Sequence, residues 1–187
     1  RDLIAAREQD DRTALEYFAT LQIDPAEVGR RLMQVLCWSN FETLFYHADP
    51  HPANIVVRPN NLLVFIDFGA CGPTTHRSRR NFRELAHRHQ QADFGGLVQV
   101  FTNMLAPLPQ VNMEELVDDG VKLTAKWQLG FSSEDAEWWE RCTAGMWMGM
   151  LELTRKFNIP VNIDTIRLFR SSLLYDTIAA RLNDRIS

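Results

Sequence analysis

The sequence lacks the features of membrane-spanning, secreted and nucleic-acid-binding proteins. No apolar run reaches the roughly 18 residues of a membrane-spanning helix, and the first residues show no signal-peptide pattern. The 3 cysteines form no Cys-x-x-Cys pair, which favours a reducing compartment over an oxidising one. The net charge of -4 argues against a nucleic-acid partner. We therefore expect a cytoplasmic protein that binds no nucleic acid.

Lysine is also scarce, and its distribution limits how the chain could bind nucleotides. The only lysines are Lys122, Lys126 and Lys156, all in the second half of the chain. No Gly-x-x-x-x-Gly-Lys loop, the kind that cradles phosphates in P-loop proteins, occurs in the sequence. This sequence therefore contains no P-loop for binding nucleotide phosphates.

Composition and periodicity predict one compact, mostly helical domain. With 45% hydrophobic and 24% charged residues among 187, the chain can bury a core and is not of the disordered class. Apolar residues recur at helical spacing, and residues 24–27 (Asp-Pro-Ala-Glu) have the pattern of a capping box. The predicted helices cover residues 1–20, 25–41, 74–90, 93–104, 112–127, 133–157 and 164–183, with N-caps at Asp24, Asp93, Asn112, Ser132 or Ser133, and Asp164.

One short segment has the signals of a β-hairpin. Residues 55–57 and 62–66 are β-branched and aromatic runs, and residues 59–61 (Pro-Asn-Asn) between them tolerate positive φ. A turn centred on the two asparagines pairs Asn54 with Asp67, with Cβ atoms roughly 5 Å apart. The predicted fold class is therefore α+β, mostly α-helical, with one small hairpin.

Two polar motifs flank this hairpin. Residues 47–54 read His-Ala-Asp-Pro-His-Pro-Ala-Asn, and residues 67–69 read Asp-Phe-Gly. An Asp, an Asn five residues later and a second Asp after the next strand are what a phosphotransfer site needs to position an acceptor and hold Mg²⁺. Since Mg²⁺ commonly takes one or two protein oxygens plus water and phosphates, we predict Asn54 and Asp67 as its ligands. Asp49 is left to face an attacking hydroxyl or water.

The two motifs resemble those of a known family. Protein kinases combine His-Arg-Asp-x-x-x-x-Asn with Asp-Phe-Gly, and this chain keeps that spacing and the whole second motif. Residues 47–54 match the His-Ala-Asp-Pro-His-Pro-Gly-Asn signature of the UbiB atypical kinase-like family at every position but Ala53, where the family has Gly. The chain is thus similar to UbiB-like kinases.

The resemblance implies a protein-kinase-like C-terminal lobe over residues 1–187, with a small catalytic β-hairpin and without the N-terminal lobe that binds nucleotide. Because that lobe supplies the lysine for the ATP phosphates, we expect this chain alone to be inactive. The full-length protein would be an atypical kinase or ATPase with Mg²⁺ and ATP as cofactors. The family also implies a link to ubiquinone and isoprenoid-lipid metabolism, a lipid-like substrate and peripheral contact with a membrane surface.

The resemblance further assigns roles to individual residues. The catalytic set is Asp49, His47 and His51. The cofactor-binding set is Asn54, Asp67, Phe68 and Gly69. We expect Asp49 to orient or deprotonate the attacking group, the two histidines to brace the loop, and Gly69 to allow a sharp turn.

Three other interpretations remain open. His47, Asp49 and His51 could be a fragment of a zinc or iron site. The absence of an upstream phosphate-binding lysine would suit a catalytically silent kinase-like scaffold. Aminoglycoside and choline phosphotransferases share a related His-Gly-Asp-x-His-x-x-Asn loop but usually lack an intact Asp-Phe-Gly.

Two more segments have unusual composition. Residues 76–89 contain five arginines, which predicts a solvated helix face or, alternatively, a patch for phosphates or anionic lipid headgroups. The stretch 138–151 is rich in Trp and Met and is most simply part of the core, although such stripes can also line grooves for lipids or partners. Its predicted core members are Trp138, Trp139, Met146, Trp147, Met148, Met150 and Leu151.

Overall fold

The computed structural model describes residues 2–105, 107–133, 135–136, 140 and 142–183, which are mostly helical. The helices are α1 (Asp2–Glu8), α2 (Arg12–Thr20), α3 (Pro25–Phe41), α4 (His76–Gln90), α5 (Phe94–Leu105), α6 (Met113–Phe131), α7 (Ala144–Lys156) and α8 (Ile163–Leu182). The strands are β1 (Phe45–Tyr46), β2 (Ile55–Arg58), β3 (Leu62–Phe65) and β4 (Gly72–Pro73). Strand β1 pairs with β4, and β2 with β3, both antiparallel. The α+β, mostly helical prediction is confirmed.

The N-terminal region forms two helices where one was predicted. Asp10 has a φ of 48°, a left-handed value that a continuing α-helix does not contain. Asp11 then caps α2 by accepting a hydrogen bond from the Ala14 N–H at 3.1 Å. The polar residues between α1 and α2 therefore end one helix and start the next.

Helix α3 begins where the sequence predicts and has the predicted N-cap, but it lacks the predicted capping box. Asp24 accepts from the Ala26 N–H at 3.0 Å, as an N-cap should. The predicted capping box is absent because the Glu27 carboxylate binds Arg30 and Arg31. The Asp24 N–H instead donates to Asn61 Oδ1 at 2.7 Å, which fastens the turn of the β2–β3 hairpin to α3.

The later helices agree with the predictions in part. The predicted caps at Asp93 and Asn112 are confirmed. Helix α7 starts at Ala144, so the predicted start at Ser132 or Ser133 is wrong, and the described residues between them are not helical. The N-cap of α8 is Asn162, whose Oδ1 accepts from the Thr165 N–H at 2.8 Å, and not Asp164.

The Trp- and Met-rich stretch is only partly core. Trp147 and Met150 are buried, whereas Met148 is 52% exposed. Trp138 and Trp139 lie outside the described residues. The prediction that the whole stretch packs inside is therefore wrong for Met148.

Two apolar clusters hold the described part of the chain together. The larger one lies among α4–α8, where the Trp147 ring stacks on Phe169 at 4.5 Å and Phe169 stacks on Phe101 at 5.9 Å. The smaller one joins α1, α3, α8 and the inner face of the hairpin. Its buried members are Leu3, Ile4, Ile23, Val28, Leu32, Leu36, Ile55, Tyr175, Ile178, Ala179 and Leu182. Helix α8 takes part in both clusters, so it links the hairpin to the helical bulk.

The arginines of α4 mainly satisfy the ends of other helices. Arg83 and Arg79 donate to the carbonyls of Phe41 and Glu42 at the C-terminus of α3, at 2.6 and 2.9 Å. Arg77 donates to the Asn103 carbonyl in the last turn of α5. Cations are favourable at helix C-termini, where carbonyls lack intrahelical partners. Three of the five arginines therefore bind backbone carbonyls, so this segment is not a purely solvated face.

The helices offer no membrane-spanning segment in the part of the chain that the structure describes. None of them is both long enough and apolar enough to cross a bilayer.

Candidate functional site

Residues 47–54 form a tightly folded loop between β1 and β2. The His51 N–H donates to the Asp49 carbonyl, and the Asn54 N–H donates to the His51 carbonyl, both at 2.7 Å. His51 Nδ1 accepts from the Ala53 N–H and so caps the short 3₁₀ turn Pro52–Asn54. The two prolines of the loop fix φ and carry no N–H donor. The loop therefore has a defined shape built largely from its own residues.

His47 lies inside this loop and connects it to β3. Its side chain is buried, and its Nδ1 accepts from the Asp49 N–H at 3.3 Å. The proton is therefore on Nε2, which donates to the Ile66 carbonyl at 3.1 Å. The ring also contacts Phe65 and Phe68 at centroid distances of 5.9 and 5.6 Å. His47 thus holds the loop against the residues that precede and follow Asp67.

Asp49 is held from two directions. The Asn54 side chain donates through Nδ2 to the Asp49 backbone carbonyl at 3.1 Å. Arg170 of α8 donates through Nη2 to the Asp49 carboxylate at Oδ1, at 2.8 Å, while the Asp49 side chain stays 29% exposed. The carboxylate that we predicted to face an acceptor therefore has a cation beside it. Its Oδ1 accepts from Arg170, and its Oδ2 accepts no hydrogen bond from the residues that the structure describes.

Asn54 and Asp67 lie at the same end of the hairpin, but not as the predicted pair. The register pairs Ile55 with Phe65 and Arg58 with Leu62, one residue away from the prediction. Ile66 is opposite Asn54 and donates its N–H to the Asn54 carbonyl at 2.9 Å. Asp67 follows immediately, so both predicted metal ligands occupy the open end of the hairpin.

The Asp-Phe-Gly segment forms an exposed turn. Asp67 has φ 59° and ψ 74°, which is left-handed, and its Oδ1 accepts from the Gly69 N–H at 3.3 Å. Gly69 itself has no positive φ, so left-handed backbone freedom is not what the glycine supplies in this turn. A Cβ at Gly69 would instead lie 3.2 Å from Asp67 Oδ1, so the absence of a side chain leaves room for this carboxylate.

Three ionisable groups next to the site are uncharged at neutral pH. Burial raises the pKa of the Tyr46 and Tyr175 hydroxyls and of the Cys71 thiol. Each of these groups therefore stays protonated at neutral pH. Cys71, two residues past the Asp-Phe-Gly segment, is for this reason a weak nucleophile and a packing residue. Asp49, Asp67 and Arg170 bring charge to the site, and Asp164 and Arg167 act electrostatically on the Tyr46 hydroxyl.

The alternative of a zinc or iron site finds no support in the geometry. Among the residues that the structure describes, no three His, Cys, Asp or Glu side chains come together as a metal site. His47 uses both ring nitrogens in hydrogen bonds to the backbone, which leaves neither one as a ligand.

Two residues of the site were missed by the sequence analysis. Arg170 reaches the Asp49 carboxylate, and Ser171 donates its hydroxyl to the His47 carbonyl at 2.7 Å. Both lie on α8, more than a hundred residues further along the chain. No local pattern marks them, because an Arg and a Ser in an amphipathic helix are common.

Comparison with known proteins identifies the family. The model of the ABC1 atypical kinase-like domain matches residues 8–101, which include both motifs and the whole hairpin. The chain therefore belongs to this family of kinase-like proteins, and the resemblance to UbiB-like kinases is confirmed.

Curated relatives include proteins from bacteria, animals and plants. An uncharacterized protein in the hydrogenase 1 5' region of Clostridium pasteurianum is 21% identical over 164 residues, which is 88% of this chain and 30% of that protein. AarF domain-containing kinase 1 of Drosophila melanogaster is 38% identical over 77 residues, 39% of this chain and 15% of that protein. Protein ACTIVITY OF BC1 COMPLEX KINASE 7, chloroplastic, of Arabidopsis thaliana is 23% identical over 95 residues, 51% of this chain and 14% of that protein.

The chain thus spans less than a third of the length of each of these relatives. No solved structure matches it.

Proposed function

We propose that the complete protein performs Mg²⁺-dependent ATP chemistry, either phosphotransfer or ATP hydrolysis. The observation that carries this proposal is the placement of Asn54 and Asp67 at one end of the hairpin, with Asp49 tied to Asn54 by the amide hydrogen bond. An acceptor-facing carboxylate next to two oxygen ligands is the arrangement that kinase-like phosphotransfer requires.

The donor atoms suit Mg²⁺. The Asn54 amide nitrogen is engaged with the Asp49 carbonyl, so the amide oxygen is the atom left to accept a cation. Asp67 supplies an exposed carboxylate, and Mg²⁺ prefers such oxygen donors with water and phosphates completing its shell. When bound, the ion would neutralise charge on the phosphates, while Asn54 and Asp67 hold it in place and Asp49 orients the attacking group.

We propose the class of substrate from the family to which the chain belongs. Membership of the UbiB-like group favours an isoprenoid or quinone-like lipid as the target of the activity, with peripheral contact at a membrane surface. An aminoglycoside or choline phosphotransferase is the less favoured activity, because the Asp-Phe-Gly segment is intact here.

The second candidate function is that of a catalytically silent scaffold, which the ion pairs of two lysines favour. Lys122 binds Asp118, and Lys156 binds Glu115 and Asp119, all within α6 and α7. Both lysines are therefore engaged by carboxylates and are not free to bind phosphates. If no lysine from elsewhere in the complete protein does so, nucleotide binding without turnover is expected.

The deciding experiment is Asp67→Asn in the complete protein. We expect Mg²⁺-dependent ATP turnover in the native protein and a loss of at least about 100-fold in the variant, because the amide cannot replace the charge of the carboxylate. The circular dichroism spectrum and melting temperature should be unchanged, since Asp67 is exposed. Turnover that is unchanged in the variant would refute the metal assignment. No turnover in the native protein would favour the scaffold.

A further inference from the structure

Two consecutive residues of α8 contact the two ends of the segment His47–Asp49. Ser171 donates its hydroxyl to the His47 carbonyl at 2.7 Å in a buried environment. Arg170 donates to Asp49 Oδ1 at 2.8 Å at the surface. One contact therefore fixes the backbone of the loop, and the other fixes the direction of the Asp49 carboxylate.

Helix α8 is well suited to act as a rigid support. Helix residues that precede and follow the two contact residues in the sequence are buried. They are Leu168 and Phe169 before them and Tyr175 and Ile178 after them. The Tyr175 ring also contacts Phe65 of the hairpin, at a centroid distance of 6.1 Å. Groups held on a packed helix are positioned more accurately than groups held on a loop.

We propose that Arg170 is a positioning residue that orients Asp49 for its reaction with the acceptor, with Ser171 fixing the loop backbone beside it. This inference rests on the proposed function. The guanidinium group engages Oδ1, so the carboxylate cannot rotate freely, and Oδ2 is the oxygen left for the acceptor. An ion pair at the surface contributes little to stability, so the consequence of losing it should be a slower reaction and not an unfolded protein.

Arg167 provides a matched control on the same helix. Both side chains are 58% exposed, and within the described part of the chain Arg167 forms its ion pair with Asp164 of the same helix, at 3.7 Å. We expect Arg170→Ala to lower kcat about 10-fold or more in the complete protein, with little change in the KM for ATP. Arg167→Ala should leave both constants unchanged. A kcat equal in the two variants, or one raised by Arg170→Ala, would overturn the proposal.

The conservative variant separates positioning from mere packing. Arg170→Lys keeps the positive charge within reach of Asp49 and should recover part of the lost kcat. Recovery supports the positioning role. A Lys variant as slow as the Ala variant, together with an equal fall in melting temperature for both, would show that Arg170 acts only through stability.

Hydrogen exchange tests the contact without any turnover. The amides of His51 and Asn54 close the loop and should exchange faster in Arg170→Ala than in Arg167→Ala. If the native protein turns over no ATP, the proposed function fails, and the exchange result alone decides whether Arg170 supports the loop. Equal exchange in both variants would reject that support.

Discussion

The two halves of the candidate site are held in different ways. The loop 47–54 has a buried histidine at its start and is bound by side chains of α8 and by the carbonyl of Ile66. The turn 67–69 is exposed, and in the described part of the chain its side-chain contacts are the bond from the Gly69 N–H to Asp67 and the ring contact of Phe68 with His47. One half therefore depends on the whole fold, and the other mainly on its own backbone.

This difference matches the demands of the proposed chemistry. A group that orients an acceptor must be placed accurately relative to the reacting atoms, and small displacements are costly in rate. A metal ligand can adjust when the ion and phosphates bind, because water completes the coordination shell. The rigid half thus carries Asp49, and the open half carries Asp67.

The largest expected effect distinguishes the two histidines of the motif. His47→Ala removes a buried ring and leaves the Ile66 carbonyl without its donor, so we expect a loss of about 2–4 kcal/mol in the free energy of unfolding. His51→Ala removes an exposed ring and one local cap, and should cost about 0.5–1 kcal/mol. Urea unfolding followed by circular dichroism measures both. Equal losses would contradict the division between a supported and a local part of the loop.

A smaller effect is expected from the adjacent serines of α8. Both are buried, but Ser171 donates to the His47 carbonyl, whereas Ser172 Oγ has no hydrogen-bond partner among the residues that the structure describes. Ser171→Ala should lower the free energy of unfolding by about 1–2 kcal/mol, because it leaves a buried carbonyl unpaired. Ser172→Ala removes an already unpaired hydroxyl and should be neutral or stabilising.

The same urea titration checks this pair of variants. Because the two serines share a helix and a similar burial, any difference between them reports the contact with the loop. A Ser172→Ala variant that loses as much stability as Ser171→Ala would mean that α8 does not support the loop through this bond.

The smallest effect concerns how the free energy of unfolding depends on pH through Asp176, a buried residue of α8. Burial raises the pKa of Asp176, although the Thr143 N–H and hydroxyl both donate to its carboxylate. The folded protein therefore binds this proton more tightly than the unfolded chain. As pH rises from the ordinary Asp range through the raised pKa, this group should lower the free energy of unfolding.

Asp176→Asn should remove this contribution to the pH dependence of the free energy of unfolding. At neutral pH the variant should gain stability relative to the native protein. The measurement is urea unfolding at a series of pH values, with native protein and variant compared at each. Parallel curves at all pH values would contradict a raised pKa for Asp176.

Much of the fold could be predicted from local signals. Asp24, Asp93 and Asn112 cap helices as expected, because an N-cap bonds an amide two or three residues away. The hairpin strands were also found. The register was wrong because the loop contains three residues, Pro59 to Asn61, and not two, so the pairing moves by one.

The predictions from sequence were wrong where several residues gave the same signal, or where tertiary packing determined the local structure. Asn162 and Asp164 are both good caps, and only the observed backbone shows that Asn162 is used. A continuous helical pattern over residues 1–20 hid the break, since the left-handed Asp10 is one polar residue among several.

The sequence by itself determined the family and marked Asp49, Asn54 and Asp67 as candidate site residues, because these residues belong to short motifs with a characteristic spacing. Only the tertiary structure decided that Arg170 and Ser171 hold the loop, that His47 bonds the backbone beside Asp67, and which residues pair across the hairpin. The physical reason is range: caps, turns and motifs depend on neighbours a few residues away, whereas the orientation of the Asp49 carboxylate depends on how α8 packs against the rest of the chain.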